Sequence, residues 1–347
     1  MVEAIFFVLA VLLLVMQAMV IHGWLSGRSK PPMSLLVNKI HRQGGNIVLT
    51  LSRKNGRHLP KARAGQHVLL FSKVGEQVYQ RAYSLSAWAP TFLEYELAIK
   101  AQGKVSDHLF ETLNTGTLLE VSQPKGHFTA SSNAQQILLV AGGIGITPMR
   151  AMLHYYLDLG REVTLIYSAR HREQLVYHDE FQTLFLEGKL RYLPILSQPD
   201  ADWTGVRGRL DATIMQSYLE TLPDKAYLCA GDHLMSDLRQ WLVAIGMAPK
   251  DIEFEQYQAQ GDGEPGFITL QGATFHYDGK GSLLSWLELQ RQPIKADCRN
   301  GSCGQCRIKL LKGELTQLKQ AEVKLSADTY LACCVAPKSD IHIQLAG

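Results

Sequence analysis

Cysteine is nearly missing until the chain is almost finished. Cys229 is the only one among the first 297 residues, while Cys298, Cys303, Cys306, Cys333 and Cys334 crowd into the last fifty. A disulfide framework would spread its cysteines through the fold, so this distribution favours a metal site in a reducing compartment. Charge of one sign is also scarce. A net charge of +3 is too near neutral to mark a nucleic-acid binder. Internal repeats and low-complexity tracts are missing, and 46% hydrophobic with 19% charged residues excludes a disordered chain. The 12 histidines form no metal-ligand spacing, and no role is assigned to them. At 347 residues there is room for about two or three domains.

The amino terminus does carry one long apolar run. Ala4 to Leu25 has no formal charge, and at about 1.5 Å per residue a helix of that length spans roughly 33 Å. A hydrocarbon core is about 30 Å thick. Glu3 precedes the run, whereas Arg28, Lys30, Lys39 and Arg42 follow it. A signal peptide wants the opposite flanks, and the positive-inside rule places the remainder in the cytoplasm. The expectation is a single-pass anchor over residues 1–28 in the inner (cytoplasmic) membrane, with all catalytic domains cytoplasmic.

Beyond a short polar stem, Leu35 to Thr129 shows apolar alternation broken by turn residues, as in Ile47–Leu51 and Glu94–Ile99. That pattern predicts an antiparallel β-barrel. One helical stretch, Ser106 to Leu113, interrupts it, with Ser106 as a candidate cap. After Asn133 continuous apolar strands (Ile137–Val140, Val163–Tyr167, Ala226–Cys229) alternate with helices such as Pro148–Leu159. This predicts a doubly wound α/β domain with a parallel sheet. Gln258 to Pro265 reads as a linker. Two short strands, a helix from about Ser282 to Leu289, the cysteine loop and a last strand, Ile341–Leu345, follow it.

Cys298, Cys303 and Cys306 form C-x4-C-x2-C, with Gly301 and Gly304 giving the loop freedom to wrap tightly. Zinc sites prefer paired C-x2-C units or histidines, so a [2Fe–2S] cluster is the better reading. The fourth ligand is Cys333 or Cys334. This region resembles plant-type ferredoxins from Phe267 to Leu345. In that family a proline typically follows the fourth ligand four residues later, as Pro337 follows Cys333. The resemblance therefore implies Cys298, Cys303, Cys306 and Cys333 as metal ligands, with Cys334 a buried neighbour.

The upstream chain resembles the ferredoxin–NADP reductase superfamily. Arg81-Ala82-Tyr83-Ser84 is similar to its R-x-Y-S flavin motif. The resemblance implies an Arg81–phosphate pair, Tyr83 along the flavin and Ser84 near its reactive nitrogen. Gly103-Lys104-Val105-Ser106 resembles the G-x-x-S segment of FAD-binding members, where a helix amino terminus at Ser106 would meet the pyrophosphate. FMN-binding relatives tend to differ there, so FAD is expected.

Gly142-Gly143-Ile144-Gly145-Ile146-Thr147-Pro148 is not the G-x-G-x-x-G fingerprint but is similar to the superfamily's nicotinamide loop, G-G-x-G-x-x-P. Ser168 and Arg170 are placed to reach the adenosine ribose, and Arg170 would accept a 2′-phosphate. NADH against NADPH stays open. Cys229 takes the place of a C-G-P cysteine near the nicotinamide, although Cys229-Ala230-Gly231-Asp232 departs from that motif. Glu255-Gln256-Tyr257 resembles an E-x-F/Y ending in which Glu255 and Tyr257 border the flavin edge.

The expected division is an anchor over 1–28, an FAD-binding barrel over 33–131, an NAD(P)-binding α/β domain over 134–258 and a β-grasp ferredoxin domain over 265–347. The implied function is a membrane-anchored reductase passing electrons from NAD(P)H through FAD and [2Fe–2S] to a protein acceptor. Ser84, Cys229 and Glu255 are the candidate catalytic residues. Tethering favours a membrane partner, and Arg63–Leu69 with Arg81–Ser86 looks like the desaturase-associated members, so a membrane di-iron lipid desaturase or oxygenase is the expected acceptor. The alternatives are a reductase for a soluble oxygenase or hybrid-cluster protein and, in another class, a redox sensor without turnover.

Overall fold

The structure is a computed structural model that describes residues 31–255, 262–296, 298–299 and 301–346. The expected anchor, Tyr257 and the first half of the 258–265 linker lie outside the described residues. Among the described residues no helix is long and apolar enough to cross a membrane.

The first sheet contains β1 (Met33–Gln43), β2 (Asn46–Ser52), β3 (His67–Val74), β4 (Gln77–Ser84), β5 (Glu94–Lys100) and β6 (Leu118–Val121), with α1 (Lys104–Thr112) between the last two. Its order is β4-β3-β6-β1-β2-β5, antiparallel throughout. Alternation sends Leu35, Val37, Ile47, Leu49 and Leu51 to one core face. The two edge strands meet only through an isolated bridge, Leu85 to Leu97. The sheet is thus a half-barrel, more open than the antiparallel β-barrel expected from the sequence. Strand alternation specifies a buried face, but closure depends on how far the sheet curls.

The second sheet contains β7 (Gln136–Gly142), β8 (Glu162–Ala169), β9 (Arg191–Leu196), β10 (Val206–Arg207), β11 (Lys225–Cys229) and β12 (Ile252–Phe254), in the order β10-β9-β8-β7-β11-β12. All its pairings are parallel. The helices are α2 (Ile146–Asp158), α3 (His178–Leu186), α4 (Ala212–Tyr218) and α5 (Asp232–Ala244). Ile137, Leu139 and Ala141 of β7 join one core, while Leu138 and Val140 join another. Both faces of the central strand are covered, which is why it reads as an unbroken apolar run. Strand order reverses beside β7, so the crevice between the carboxyl ends of β7 and β11 is the switch point where such sheets bind ligands.

The third unit contains β13 (Gly266–Leu270), β14 (Ala273–Tyr277), β15 (Arg307–Lys312), β16 (Leu315–Gln317), β17 (Thr329–Leu331), β18 (Val335–Pro337) and β19 (Ile341–Leu345). Its main sheet runs β14-β13-β19-β15-β17, with β16 paired to β18. The β13–β19 pair is parallel and the others antiparallel. Across it lies α6 (Leu283–Leu289). The Ser282 hydroxyl caps this helix by accepting from the Ser285 N–H at 3.2 Å, and the helix buries Leu283, Leu284, Trp286 and Leu287.

The first two units approach closely at one turn. Gly44 and Gly45 form the β1–β2 hairpin with φ of 54° and 74°. A Cβ on Gly44 would lie 2.0 Å from the Glu173 carbonyl oxygen in the second unit. Glycine is needed there both for its conformation and for the approach.

Candidate functional site

Arg81, Tyr83 and Ser84 end β4, and Gly103 to Ser106 begin α1. Arg81, Tyr83, Gly103 and Ser106 line one cavity of about 290 Å³, together with Cys298 and Arg299 of the third unit. Among the described residues four cations line it, Arg81, Lys100, Lys104 and Arg299, and no carboxylate does. That charge set and a helix amino terminus suit an anionic pyrophosphate. The helix begins earlier than the sequence predicts. Gly103, at φ 130°, is the N-cap, and Ser106 lies inside α1. The Ser106 hydroxyl accepts from the Gln102 N–H and donates to the Gly103 carbonyl, both at 3.1 Å, so it buttresses the turn. Burial raises the Tyr83 phenol to about 12 and keeps it neutral.

At the switch point the backbone closes on itself. Gly143 to Gly145 form a 3-10 turn that leads directly into α2, with Gly145 as its N-cap. A Cβ on Gly145 would lie 2.0 Å from the Cys229 carbonyl oxygen, and one on Gly142 would lie 2.9 Å from Ala230 Cβ. Gly142 and Gly145 therefore pack against the Cys229–Ala230 segment, which is distant in sequence. Thr147 and Pro148 are buried in the first turn of α2, and the Thr147 hydroxyl donates to the Ile144 carbonyl at 3.1 Å. Ser168 pairs in register with Gly142 on the neighbouring strand, while Arg170 stands exposed beyond the strand end. Within the loop Gly143, at φ 54°, has nothing within 4 Å of where a Cβ would stand, so its backbone is open to a dinucleotide pyrophosphate.

Ser84 and Glu255 meet although they come from different units. Ser84 is 4% and Glu255 8% exposed, and the Ser84 hydroxyl donates to Glu255 Oε2 at 3.4 Å. Burial pushes the Glu255 carboxyl up to about 7, against the pull of Lys319 and the Ser84 hydrogen bond. From an ordinary value of 4.5, the folded chain holds a proton that the unfolded chain releases. This contribution is full below about 4.5 and is lost as pH rises to about 7, with an upper size of about 3 kcal/mol. Glu255→Gln is expected to flatten that slope, read by urea unfolding at pH 5 and pH 7.5. An unchanged pH dependence in the variant would refute the assignment.

The four cysteines expected as ligands lie in two pairs. Cys303 shares a thiol hydrogen bond with Cys298, and Cys306 shares one with Cys333. Cys298 Sγ also accepts from the backbone N–H groups of Ser302 and Cys303 at 3.3 and 3.2 Å. Among the described residues no group of three or more His, Cys, Asp or Glu surrounds a single ion. Two sulfur pairs with backbone N–H groups directed at sulfur suit a two-iron cluster better than mononuclear zinc. Cys334 Sγ is 3.6 Å from Cys333 Sγ, and 2.8 Å from where a Cβ on Gly301 would be, so it packs under the loop. Arg299 holds a left-handed φ of 58°, and its guanidinium clamps Glu288 of α6 through two bonds of 2.7 Å.

Sequence reasoning missed the residues that join the units. Arg150 on α2 bonds Glu180 of α3 at 2.8 Å and Glu96 of β5 at 2.9 Å. His67, left without a role, faces Ser302 of the cysteine loop at 3.1 Å. Neither belongs to a local motif, and nothing in sequence spacing pairs residues that far apart.

Three family models match in order: an oxidoreductase FAD-binding domain over residues 42–130, an oxidoreductase NAD-binding domain over 139–240 and a 2Fe-2S iron-sulfur cluster binding domain over 268–338. The heme-dependent oxidative N-demethylase beta subunit of Ectopseudomonas mendocina (strain ymp) is 32% identical, covering 74% of this chain and 80% of its own. The glycine betaine monooxygenase reductase subunit of Chromohalobacter salexigens is 25% identical over 81% of this chain and 87% of its own. In fold, the chain is similar to phthalate dioxygenase reductase, with a TM-score of 0.61, 22% identity, and coverage of 91% and 98% of the two chains. The chain therefore belongs to the ferredoxin–NADP reductase family, as an oxidoreductase that uses NAD(P)H, FAD and a C-terminal [2Fe–2S] domain for electron transfer.

Proposed function

We propose that the chain is the reductase component of an oxygenase system, taking hydride from NAD(P)H and delivering single electrons from its ferredoxin unit to a soluble terminal oxygenase. The observation that carries the reading is the shared cavity in which Arg81, Tyr83 and the α1 amino terminus face Cys298 and Arg299. When bound there, FAD supplies the conversion from a two-electron donor to a one-electron carrier. Arg81, Lys104 and the Gly103–Ser106 turn would hold its phosphates, and Tyr83 would lie along its ring. Ser84 and Glu255 form a buried pair able to hold a proton beside it. Gly142 to Pro148, Ser168 and Arg170 would position the dinucleotide, with Cys229 at its reacting end. Cys298, Cys303, Cys306 and Cys333 would hold the cluster.

The relatives' partner systems are named as a monooxygenase and an N-demethylase. The membrane desaturase expected from the sequence draws no support from them, so the soluble-oxygenase alternative takes its place. Full-length protein carrying flavin and iron is expected to oxidise NAD(P)H with multiple turnover and to reduce cytochrome c. Failure to oxidise NAD(P)H with any one-electron acceptor would sink the reading. Attachment through residues 1–28 is a separate proposal, resting on the flanking charges of Ala4–Leu25. Fractionation of the intact chain against one lacking residues 1–28 tests it, and an intact chain found wholly in the soluble fraction would defeat it.

A further inference from the structure

His67 opens β3 beside the strand that carries Arg81 to Ser84, and it pairs in register with Ser84. Its main chain is fixed by reciprocal bonds with Lys125, at 2.9 and 2.8 Å. Gly126, at φ 104°, leaves room for the ring, since a Cβ there would lie 2.9 Å from Nδ1. The side chain is 2% exposed, yet it leaves its own sheet. Nε2 lies 3.1 Å from Ser302 Oγ in the cysteine loop and 3.4 Å from Glu322 Oε2. Ser302 is 1% exposed. Glu322 is tied to the same loop, its backbone N–H donating to the Gly301 carbonyl at 3.1 Å.

The chemistry of this contact is directional. Burial outweighs the Glu322 carboxylate and pushes the His67 ring down to about 4, so at neutral pH the imidazole is uncharged. Glu322 Oε2 is buried and makes no hydrogen bond, which leaves Nε2 to serve Ser302. A neutral hydrogen bond in a buried site fixes distance and angle, whereas a surface ion pair would permit sliding. Ser302 stands between Gly301 and Cys303, and its N–H also points at Cys298 Sγ. The ring therefore grips the cysteine loop itself, on the side that faces the flavin strand.

We propose that His67, Ser302 and Glu322 form a latch between the ferredoxin unit and the flavin sheet, which positions the cluster loop for electron transfer from flavin to cluster. These are positioning residues, and the inference rests on the electron-transfer reading above. Holding donor and acceptor units in one arrangement replaces a search over many arrangements by a fixed approach, and small displacements from it are costly in rate.

The test uses the holoprotein in anaerobic stopped-flow with NAD(P)H, following flavin bleaching and, by rapid-freeze electron paramagnetic resonance, cluster reduction. His67→Leu is expected to slow cluster reduction at least tenfold while flavin reduction stays within twofold and flavin and iron contents are retained. His67→Gln, which keeps a group able to donate or accept at similar reach, is expected to recover the rate to within threefold of the parent. Ser302→Ala is expected to slow cluster reduction similarly without moving the cluster midpoint potential. The double variant should be no slower than the slower single one, because both remove one contact. Parent-like cluster reduction in His67→Leu and Ser302→Ala, or multiplied losses in the double variant, would overturn the latch. If His67→Leu does not fold, Ser302→Ala decides alone: a loss wholly explained by a shifted potential also overturns it. Failure of the underlying reading looks different, because the unaltered protein would then not reduce its cluster with NAD(P)H.

Discussion

Cys333→Ser is expected to abolish the iron–sulfur chromophore and to cut NAD(P)H-dependent cytochrome c reduction at least a hundredfold, whereas Cys334→Ser is expected to keep both. The two residues are adjacent and both buried, so composition cannot separate them. Their surroundings do. Cys333 shares its thiol hydrogen bond with Cys306, completing the second sulfur pair. Cys334 instead packs beneath Gly301, within 2.8 Å of where a Cβ would stand. Reduction of ferricyanide, which can draw electrons from flavin, should fall far less in Cys333→Ser than reduction of cytochrome c. Iron content and visible absorbance settle the assignment. A Cys334→Ser protein without iron, beside a Cys333→Ser protein with it, would reverse the two roles.

The ferredoxin unit was legible because its information is local. Three cysteines and two glycines fall within nine residues, and both glycines do adopt positive φ, at 87° and 72°. The parallel sheet was legible for a similar reason, since strands covered on both faces need uninterrupted apolar residues. At Ser106 local chemistry misled. Serine is a common helix cap, but here glycine in an unusual conformation takes that position and the serine braces the turn from within. Closure of the first sheet was misjudged because alternation reports which face is buried and not how far the strands curl.

What no local signal could disclose is the joinery between units. His67 and Ser302 are separated by most of the chain, Ser84 and Glu255 by nearly half of it, and each pair depends on how the units dock. A lone histidine at a strand start reads as ordinary packing until a second unit is placed against it. The joint around Arg150 was hidden in the same way.

Arg150→Met is expected to loosen the joint between the flavin and nicotinamide units, at a cost of about 3 kcal/mol, the lower end for breaking a buried ion pair because the three side chains keep some exposure. The Arg150 side chain is 14% exposed and meets Glu96 at 21% and Glu180 at 29%. Its guanidinium donates to both carboxylates and to the Ser86 carbonyl, and it lies 4.3 Å from the centre of the Tyr177 ring. The Tyr177 hydroxyl donates to Glu96 at 2.8 Å, and His154 meets Glu180 at 2.7 Å. Methionine preserves the apolar stem but leaves two carboxylates facing a site without its central cation. Burial works to raise the Glu180 carboxyl, yet its bonds to His154 and Arg150 prevail and hold it below the ordinary range. This stabilisation is present above that ordinary value, near 4.5, and is lost as pH falls through the lowered one. The parent should therefore shed part of its interface stability in acid, and Arg150→Met should shrink that acid step to the part that His154 sustains. Because the protein has several units, a single melting temperature would mislead. Limited proteolysis at the 131–134 junction and the rate of flavin reduction by NAD(P)H are the better measures. Faster cleavage with slowed flavin reduction is the expected result, and Arg150→Met combined with Glu96→Gln and Glu180→Gln should regain part of both. A single variant that cleaves and turns over like the parent would show that this network does not hold the joint.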